Sequence, residues 1–292
     1  MKVHLLDGTY ELFRHHFGLP SHVTATGAEV AATQGVLSTV LAMLDGGATH
    51  LGVATDHVIE SFRNDLWPGY KSSAGIAPVL LEQFGLIELA LEAMGVYLWP
   101  MVEVEADDAL ASAAAVAAAV DEVEQVIICT PDKDLGQAVR GRRVVQLDRR
   151  RDQIIDEAGV IAKFGVPPSS IPDYLALVGD SADGFPGLPG WGAKSTATVL
   201  ARYGHLEAIP DAAGQWEVTV RSGAALAAAL AQHRAEAYLF RDLATLRIDP
   251  SLLADVDDLR WIGPTAAFDD VAKRLEAPRL AQRAQMLARA RQ

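Results

Sequence analysis

The stretch DYLALVGDSADGFPGLPGWGAKSTATVL, residues 173–200, contains a run of glycine and proline that neither a regular helix nor a strand tolerates. Gly187, Gly190 and Gly192 permit positive φ angles and a close approach of another molecule to the backbone. A helix is predicted to follow, from about Ala193 to Arg202. The free backbone N–H groups at the start of such a helix can bind phosphate.

The side chains around this hairpin strengthen that interpretation. Lys194 lies in the first turn of the predicted helix, where the helix dipole favours an acid, so a cation there indicates an anionic partner. A Gly-x-Gly-x-Lys hairpin contacts a DNA backbone without distinguishing the bases. Asp180 and Asp183 stand directly before the hairpin. The stretch therefore predicts a DNA-backbone contact next to an acidic site.

Short apolar segments alternate with helical patterns upstream of this stretch. Strands are predicted at 2–7, 51–56, 96–99, 125–130 and 143–148, and helices at 27–45, at 76–95 and after 105. This alternation predicts an α/β fold with a parallel or mostly parallel sheet. From about 166 short helices and Gly/Pro turns dominate, which suggests a domain boundary there, and residues 242–247 are a candidate for one more strand.

Acidic residues lie where several of these predicted strands end. Asp7 ends the first strand and Asp56 the second, while Asp132 and Asp134 follow the fourth. Ligands of open α/β sheets bind beyond the carboxyl ends of the strands, so side chains there can converge although they are far apart in sequence. A further acidic group, Glu-Ala-Asp-Asp at 105–108, opens a helix between two strands.

Each acidic position also has a simpler explanation. Asp7 and Asp56 could be turn residues, the group at 105–108 could cap its helix, and Asp-Lys-Asp at 132–134 could be a loop. These alternatives stay open position by position. The joint occurrence of the acids at strand ends is hard to attribute to turns alone, and it favours a carboxylate site.

Converging carboxylates repel one another, and divalent cations remove that penalty. Oxygen ligands without Cys or His nearby suit Mg²⁺ or Mn²⁺ better than zinc. Two such ions about 3.5–4 Å apart can bind both the attacking and the leaving oxygen of a phosphodiester. A haloacid-dehalogenase phosphatase would need a second Asp two residues after Asp7, where this chain has Thr9, and a response regulator would not need so many further carboxylates.

The composition argues against several other classes of protein. A single cysteine, Cys129, excludes an internal disulfide and argues against a cysteine-based zinc site, and its apolar neighbours predict a buried residue. The N-terminus does not resemble a signal peptide, and no apolar run reaches the ~18 residues of a membrane span. We therefore expect a cytoplasmic protein without membrane contact, and a monomer.

The net charge of −13 argues against simple nucleic-acid binding, because phosphate neutralisation needs Lys and Arg. Cations bound at a carboxylate site would offset part of that charge. The charge also reverses locally, since residues 140–151 hold six arginines and one acid, Asp148. The run is either a solvated face or a phosphate-facing stripe. Its arginines are Arg140, Arg142, Arg143, Arg149, Arg150 and Arg151.

The ordered set of motifs resembles the bacterial 5′-nuclease family, that is, flap endonucleases and the 5′–3′ exonuclease domain of DNA polymerase I. The motifs are Asp7, Asp56, Phe-Arg at 62–63, Tyr-Lys at 70–71, Glu-Ala-Asp-Asp at 105–108, Asp-Lys-Asp at 132–134, Gly-Asp-Ser-Ala-Asp at 179–183 and Pro-Gly-Trp-Gly-Ala-Lys at 189–194. Each motif alone is weak, but their order is specific and covers residues 1 to about 250. Nothing after 250 resembles a polymerase, so a free-standing nuclease is expected.

The resemblance implies a PIN-like α/β nuclease domain over 1–165, with an arch region at about 63–85. It implies a helical domain over 166–292 that holds a helix–three-turn–helix DNA-binding module at about 171–205. It also implies two or three divalent ions, Mg²⁺ or Mn²⁺, and often K⁺ in the Gly-rich hairpin. One side of the implied metal site is Asp7, Asp56, Glu105, Asp107 and Asp108, and the other side is Asp132, Asp134, Asp180 and Asp183.

The resemblance also assigns residues to the reaction and to DNA. Lys71 matches a lysine at the base of the arch that stabilises charge on the scissile phosphate, Arg63 matches a phosphate-contacting arginine, and Asp132 joins them in the catalytic set. The expected DNA contacts are Gly187, Gly190, Gly192, Lys194, Arg140, Arg142 and Arg143. Four residues fall where the family carries base-stacking aromatics, although helix packing explains them slightly better: Tyr10, Phe13, His16 and Phe17.

Two positions depart from the family pattern. After Tyr-Lys the family usually shows a polar segment with Arg, whereas this chain has Ser-Ser-Ala-Gly-Ile-Ala at 72–77, so a short and less basic arch is expected. Gly184 stands where the family has Asn after Asp183, which is expected to loosen the turn.

Together these features predict a structure-dependent 5′–3′ exonuclease or 5′-flap endonuclease that hydrolyses DNA by a two-metal-ion mechanism. Its expected partners are DNA 5′ ends, flaps and branched duplexes, as in repair and replication. One alternative is a DNA-junction-binding protein with weak or no catalysis, motivated by the acidic charge and the thin arch. Another is a PIN-type ribonuclease, although the Gly-rich hairpin favours a DNA duplex as partner.

Overall fold

The computed structural model describes residues 1–291, and within them the chain forms six strands and twelve α-helices. The strands are β1 (Lys2–Asp7), β2 (His50–Asp56), β3 (Tyr97–Met101), β4 (Gln125–Cys129), β5 (Val144–Asp148) and β6 (Gln153–Ile155). The helices are α1 (Gly8–Gly18), α2 (Ala31–Asp45), α3 (Phe62–Leu66), α4 (Pro78–Ala93), α5 (Ala106–Ala118), α6 (Glu157–Phe164), α7 (Ile171–Val178), α8 (Ala193–Tyr203), α9 (Gly223–Gln232), α10 (Arg234–Ala244), α11 (Phe268–Arg274) and α12 (Pro278–Ala290).

The chain divides into two compact units. The first unit comprises Met1–Ile59, Ser73–Thr130 and Ile248–Gln292, and the second comprises Glu60–Ser72 and Pro131–Arg247. This division by compactness cuts the chain at other points than the domain boundary expected between 165 and 166, which stays a prediction.

The first unit is built on four parallel strands in the order β3-β2-β1-β4. In this register Asp7 lies opposite Ala54, so the carboxyl ends of β1 and β2 reach the same edge. Every residue of β2 is buried, as expected of a parallel strand covered on both faces. The α/β fold with mostly parallel strands, predicted from the alternating pattern, is confirmed.

Helices cover both faces of this sheet. Neighbouring residues of a strand point to opposite faces. The Thr55 hydroxyl donates to Glu88 of α4, and the Asp56 carboxylate accepts from the Ala106 amide at the start of α5. Consequently α4 and α5 lie on opposite faces. The small side chains of the Ala-rich α5 allow it to pack closely against β1, β2 and β4.

The segment that begins at Ile248 belongs to the first unit. Helix α11 packs against α4, and α12 packs against α2. The Trp261 indole donates to the Met94 carbonyl at 2.9 Å, and the Trp99 indole donates to the Leu252 carbonyl at 2.7 Å. No helix within residues 1–291 is both long enough and apolar enough to cross a membrane.

The second unit is mainly helical. Its strands β5 and β6 form an antiparallel pair in which Leu147 lies opposite Ile154. Helix α7 packs against α8 and α10, and the core of the unit includes Tyr174, Phe185 and Phe240. The start of α8 at Ala193 agrees with the prediction, and its end at Tyr203 lies one residue beyond it.

The strand proposed at 242–247 is wrong. Helix α10 runs to Ala244, and the backbone groups that follow bond to side chains rather than to a neighbouring strand. The Gln137 amide donates to the Ala244 carbonyl and accepts from the Leu246 amide, while Arg63 donates to the Thr245 carbonyl. The short apolar pattern alone could not distinguish a helix end from a strand.

Candidate metal centre

A cluster of three acidic side chains lies in the second unit. Asp134, Asp180 and Asp183 each offer one ligand oxygen, and these oxygens all lie within 4.8 Å of one another. Asp134 begins a 3₁₀ turn that runs to Ala138, and Asp180 directly follows Gly179, which ends α7. These residues come from two separate chain segments, which helix packing within the unit brings together.

Asp134 is the most constrained member of this cluster. Its Oδ1 is buried and has no hydrogen-bond partner among the described residues. Burial raises the pKa of Asp134 well above its ordinary value, and the charges of Asp132, Asp183 and Asp180 raise it further. A buried, unsatisfied carboxylate oxygen beside other carboxylates is costly without a cation. The oxygen-only donor set fits a hard divalent ion such as Mg²⁺ or Mn²⁺.

Two lysines supply counter-charge to the cluster. The Lys133 ammonium lies 2.5 Å from Oδ2 of Asp180, and the Lys71 ammonium lies 3.3 Å from Oδ1 of Asp183. Burial opposes the charged form of Lys133, but the hydrogen bond and charge of Asp180, with the charges of Asp134 and Asp132, outweigh it and raise its pKa. Lys71 thus lies at the acidic cluster, and its proposed role toward the scissile phosphate stays a prediction.

The turn that carries Asp180 and Asp183 is closed tightly. The amides of Gly184 and Phe185 both donate to the Asp180 carbonyl, and the Lys71 amide donates to the Asp183 carbonyl. Gly184 has φ +84°, and its carbonyl accepts from the Trp67 indole at 3.1 Å. The turn is thus closed by backbone hydrogen bonds, and the expectation that Gly184 loosens it stays a prediction.

Asp132 lies beside the cluster but remains exposed. Its Oδ1 accepts from the Asp134 amide at 3.0 Å, and its backbone carbonyl accepts from the Gln146 side chain at 2.6 Å. The Gln146 contact fixes the backbone at Asp132 and leaves its carboxylate at the surface.

The acids at the strand ends of the first unit are buried as well. Asp7 ends β1, caps α1 by accepting from the Tyr10 amide, and accepts the Thr130 hydroxyl at 3.0 Å. Asp56 ends β2 and accepts from the Ala106 amide at 2.7 Å. Both residues therefore have structural hydrogen bonds, which are compatible with a ligand role.

The helix-opening acids at 105–108 have distinct roles. Asp108 is buried and accepts from the Glu105 amide at 2.9 Å, which makes it part of a capping box, as the simpler explanation predicted. Glu105 is buried too, and Asp107 is half-buried in the first turn of α5. The structure places Glu105 next to Ala106, whose amide contacts Asp56.

Arg63 occupies a different environment from the one expected. It is only 2% exposed, and its guanidinium donates to the Leu243 carbonyl at 2.7 Å and to the Thr245 carbonyl at 3.1 Å. These carbonyls lie at the C-terminal end of α10, where a cation is favourable. The placement gives Arg63 a structural role and does not support the predicted phosphate contact.

The Gly-rich hairpin leads from α7 to α8. Gly187 has φ +69°, and a Cβ there would lie 2.4 Å from the Gly179 nitrogen, so only glycine allows this close approach. Gly190 also has a positive φ, and Gly192 is the N-cap of α8. Lys194 is exposed in the first turn of α8.

The remaining predicted contacts lie at the surface. Arg140 and Arg142 are exposed and Arg143 is half-buried around the turn that precedes β5. On α1, Phe13 packs edge-on against Phe84 at 6.1 Å, which agrees with helix packing. Phe17 is 78% exposed and Tyr10 and His16 are half-buried, so helix packing accounts for only part of this aromatic group.

The sequence analysis missed two residues that contact the acidic side chains. Lys133 stands between two predicted ligands, and its position in Asp-Lys-Asp was the available signal for a counter-charge. Thr130, which donates to Asp7, follows β4 directly and gave no signal beyond its place at a strand end.

Fold and site together define a class of protein: an α/β protein with oxygen-only acidic groups and a Gly-rich hairpin that opens a basic helix. Residues 2–165 match the family described as 5′-3′ exonuclease, N-terminal resolvase-like domain, and residues 166–267 match 5′-3′ exonuclease, C-terminal SAM fold. The chain therefore belongs to the 5′–3′ exonuclease family, which confirms the resemblance found in the motifs.

Individual relatives agree with this membership. The chain is 34% identical to the 5′-3′ exonuclease of Aquifex aeolicus over 213 residues, which are 71% of each protein. It is 33% identical to DNA polymerase I of Pseudomonas aeruginosa over 265 residues, 87% of this chain and 28% of the polymerase. The chain thus spans little more than a quarter of that polymerase.

Solved structures share the fold at low sequence identity. T5 5′-exonuclease with bound zinc superimposes with a TM-score of 0.66 at 18% identity, covering 94% of this chain and 98% of that one. The catalytic core of Rad2 in complex with DNA substrate gives a TM-score of 0.64 at 13% identity, covering 98% of this chain and 92% of that one. At these identities the likeness concerns the fold alone.

Proposed function

We propose that this protein is a metal-dependent 5′-nuclease that hydrolyses DNA phosphodiesters at 5′ ends and flaps. The observation that carries the proposal is the cluster of Asp134, Asp180 and Asp183, whose ligand oxygens lie within 4.8 Å of one another. The unsatisfied Oδ1 of Asp134 supports a bound cation in particular. The names of the relatives, 5′-3′ exonuclease and flap endonuclease, indicate the polarity and the type of substrate.

Divalent ions held by these carboxylates, Mg²⁺ or Mn²⁺, would polarise the phosphodiester and neutralise the charge that develops on it. We assign Asp132, Asp134, Asp180 and Asp183 of the second unit to ion binding. In the first unit, we assign the same role to Asp7, Asp56, Glu105, Asp107 and Asp108. Two or three ions are expected.

Lys71 is proposed to stabilise negative charge on the scissile phosphate. Its ammonium lies 3.3 Å from Oδ1 of Asp183, so it is held beside the cluster. A preorganised cation of this kind contributes mainly to the rate, by stabilising charge that develops in the transition state. Arg63 is left out of this step because its guanidinium is buried on α10.

We assign the binding of duplex DNA to the Gly-rich hairpin with Lys194 and to the arginines of the 140–143 turn. Exposed cations and free helix amides contact phosphates without regard to sequence. A K⁺ ion in the hairpin would organise the backbone of Gly187 and Gly190, which both have positive φ. Replacing K⁺ by Na⁺ in a duplex-binding titration tests that ion. The proposal further takes the protein to be a cytoplasmic monomer, and light scattering tests its mass.

The deciding experiment uses a 5′-labelled flap duplex with Mg²⁺, with Mn²⁺ or with chelator. Wild type is compared with Asp132→Asn and Asp183→Asn, and with Asp152→Asn as the matched control. Asp152 is exposed and has a left-handed φ of 52°, which Asn tolerates equally well. We expect metal-dependent cleavage near the junction, lost in the first two variants and retained in the control.

Three other outcomes would redirect the assignment. Tight junction binding without cleavage in either metal would leave a DNA-junction-binding protein as the better hypothesis. Faster cleavage of a matched RNA flap than of the DNA flap would favour a PIN-type ribonuclease. Equal activity of Asp183→Asn and wild type would remove the metal assignment of the second unit.

A further inference from the structure

A cavity of about 710 Å³ lies in the second unit. One wall comes from the hairpin and α8, through Gly190, Gly192, Lys194, Ser195 and Thr198. The other wall comes from residues 219–222, the segment that leads into α9. The volume lies in the range of ordinary ligand sites. The second wall was not singled out by any motif of the sequence.

The cavity has an unusual charge for this chain. Its lining contains two cations, Lys194 and Arg221, and no carboxylate, although the whole chain carries a net charge of −13. Thr219 and Ser222 of the second wall, with Ser195 and Thr198 of the first, add hydroxyl groups. Cations and hydroxyls without an acid form an environment suited to an anion.

Lys194 and Arg221 differ in their ion pairing from the arginines of the neighbouring helices. Arg202 pairs with Glu217, Arg234 with Asp211 and Arg241 with Glu207. By contrast, neither Lys194 nor Arg221 forms an ion pair or a side-chain hydrogen bond within residues 1–291. Their charges are therefore not neutralised by the protein itself, and both line the same cavity.

We infer that residues 219–222 form a second phosphate-binding wall, and that Arg221 and Lys194 hold the backbone of one DNA strand between them. This deepens the proposed function, because it names residues that hold the substrate away from the metal centre. Phosphodiester oxygens match the lining chemistry, because the cations and hydroxyl groups of the lining can donate to them. Arg221 is a binding residue and takes no part in hydrolysis.

The test measures duplex binding in chelator, where no cleavage occurs. Fluorescence anisotropy with a plain duplex gives the Kd of wild type, Arg221→Gln, Lys194→Gln and the double variant. The salt concentration is varied from about 50 to about 200 mM, a range over which the loss of phosphate contacts changes the affinity strongly. Arg289→Gln, an exposed arginine on α12, is the matched control. We expect each single change to weaken binding roughly three- to tenfold and to lower the salt slope by about 0.9.

A second measurement assigns the contact to the DNA backbone. Neutral methylphosphonate linkages are placed one at a time along one strand, and each is tested with wild type and with Arg221→Gln. At the contacted linkage, the neutral group should lower the affinity of wild type. The same neutral group should hardly change the affinity of Arg221→Gln, which is the pattern of a coupled pair. The kcat of Arg221→Gln on saturating flap substrate should remain that of wild type.

The possible failures are distinguishable. If wild type cleaves flaps in metal but Arg221→Gln keeps the wild-type Kd and salt slope, the second wall is wrong while the nuclease proposal stands. If Arg221→Gln lowers kcat at saturation, Arg221 is not a pure binding residue and the inference is overturned. If wild type binds no duplex at all, both proposals fail together.

Discussion

The ammonium of Lys133 lies 2.5 Å from Oδ2 of Asp180, inside a cluster that also holds Asp134 and Asp183. The Lys133 ammonium is therefore a monovalent counter-charge next to the carboxylates that are proposed to bind a divalent ion. The lysine stabilises the metal-free fold by offsetting carboxylate repulsion, and it opposes the approach of a second cation. We therefore predict that Lys133 couples stability to ion binding.

Replacing this counter-charge should separate the two effects. In chelator, Lys133→Gln should unfold at a lower temperature than wild type. Its free energy of unfolding should be lower by about 1–2 kcal/mol, after allowance for the partly exposed ammonium. Added Mn²⁺ should raise its Tm by more than it raises that of wild type, because binding to the native state adds stability by mass action. Differential scanning calorimetry with and without Mn²⁺ measures both, and equal Mn²⁺ shifts in the two proteins would contradict the coupling.

Gly184 offers a test of the turn that presents Asp180 and Asp183. A Cβ at this position would lie 2.0 Å from the Gly69 carbonyl oxygen, and the residue has φ +84°. Gly184→Ala should therefore cost more than left-handed strain alone and lower stability by roughly 2–4 kcal/mol. Gly204→Ala is the control, because Gly204 has φ +76° but no atom within 4 Å of the added Cβ.

Urea unfolding of the two glycine variants gives the comparison. The control should lose about 1 kcal/mol, which is the cost of the backbone conformation alone. Losses of equal size in Gly184→Ala and Gly204→Ala would show that the contact with Gly69 is not rigid. In that case the turn would be looser than its hydrogen bonds indicate.

Much of the first unit was predictable because its signals are local. Apolar runs that end in an acid, or that an acid closely follows, located β1, β2 and β4, and the carboxyl ends of parallel strands fall at one edge of the sheet. The Gly-rich hairpin was equally clear, since Gly187 is required by a backbone approach that any side chain would block. The order of the motifs then identified the family.

The features that could not be predicted from the sequence depend on tertiary packing. Arg63 matches a phosphate-contacting arginine by its motif, yet the end of α10, 180 residues away, takes up its guanidinium. Residues 242–247 have a strand-like pattern, but side chains of Gln137 and Arg63 use their backbone groups. Arg221 carries no motif at all, and only the cavity between two segments makes it noticeable.

Arg63 can be tested as a structural rather than a catalytic residue. Arg63→Lys keeps the charge but loses the forked hydrogen bonds to the Leu243 and Thr245 carbonyls. We expect a stability loss of about 2–4 kcal/mol, because buried carbonyls lose charge-assisted donors. Flap cleavage is then measured at a temperature where circular dichroism shows the variant to be folded.

The kinetic outcome decides between the two roles of Arg63. A structural role predicts a kcat within about threefold of wild type for the folded variant, since no donor to the phosphate is lost. A kcat lower by a factor of 100 or more, on the order of a lost transition-state contact, would restore the catalytic assignment.

Glu276 connects the C-terminal part of the first unit to the segment between α1 and α2. Its carboxylate accepts from the Ala25 amide at 2.8 Å and lies 3.2 Å from Nε2 of His22. The Ala25 amide, followed by the His22 hydrogen bond, lowers the pKa of Glu276 below its ordinary value of 4.5. A carboxyl whose pKa is depressed in the folded state contributes stability above its unfolded pKa, and that contribution is lost as pH falls through the folded pKa.

Glu276→Gln should therefore destabilise the protein at neutral pH and lose this effect in acid. The substitution keeps the side-chain length and the left-handed φ of 50°, so the charge is the main change. Urea midpoints of wild type and Glu276→Gln should differ at about pH 7 and converge as the pH falls through the lowered folded-state pKa of Glu276. Glu82→Gln, at an exposed position of α4, is the control, and its urea midpoint should match that of wild type at every pH. A difference for Glu276→Gln that persists unchanged as the pH falls through this lowered pKa would mean that the Ala25 contact does not depend on charge.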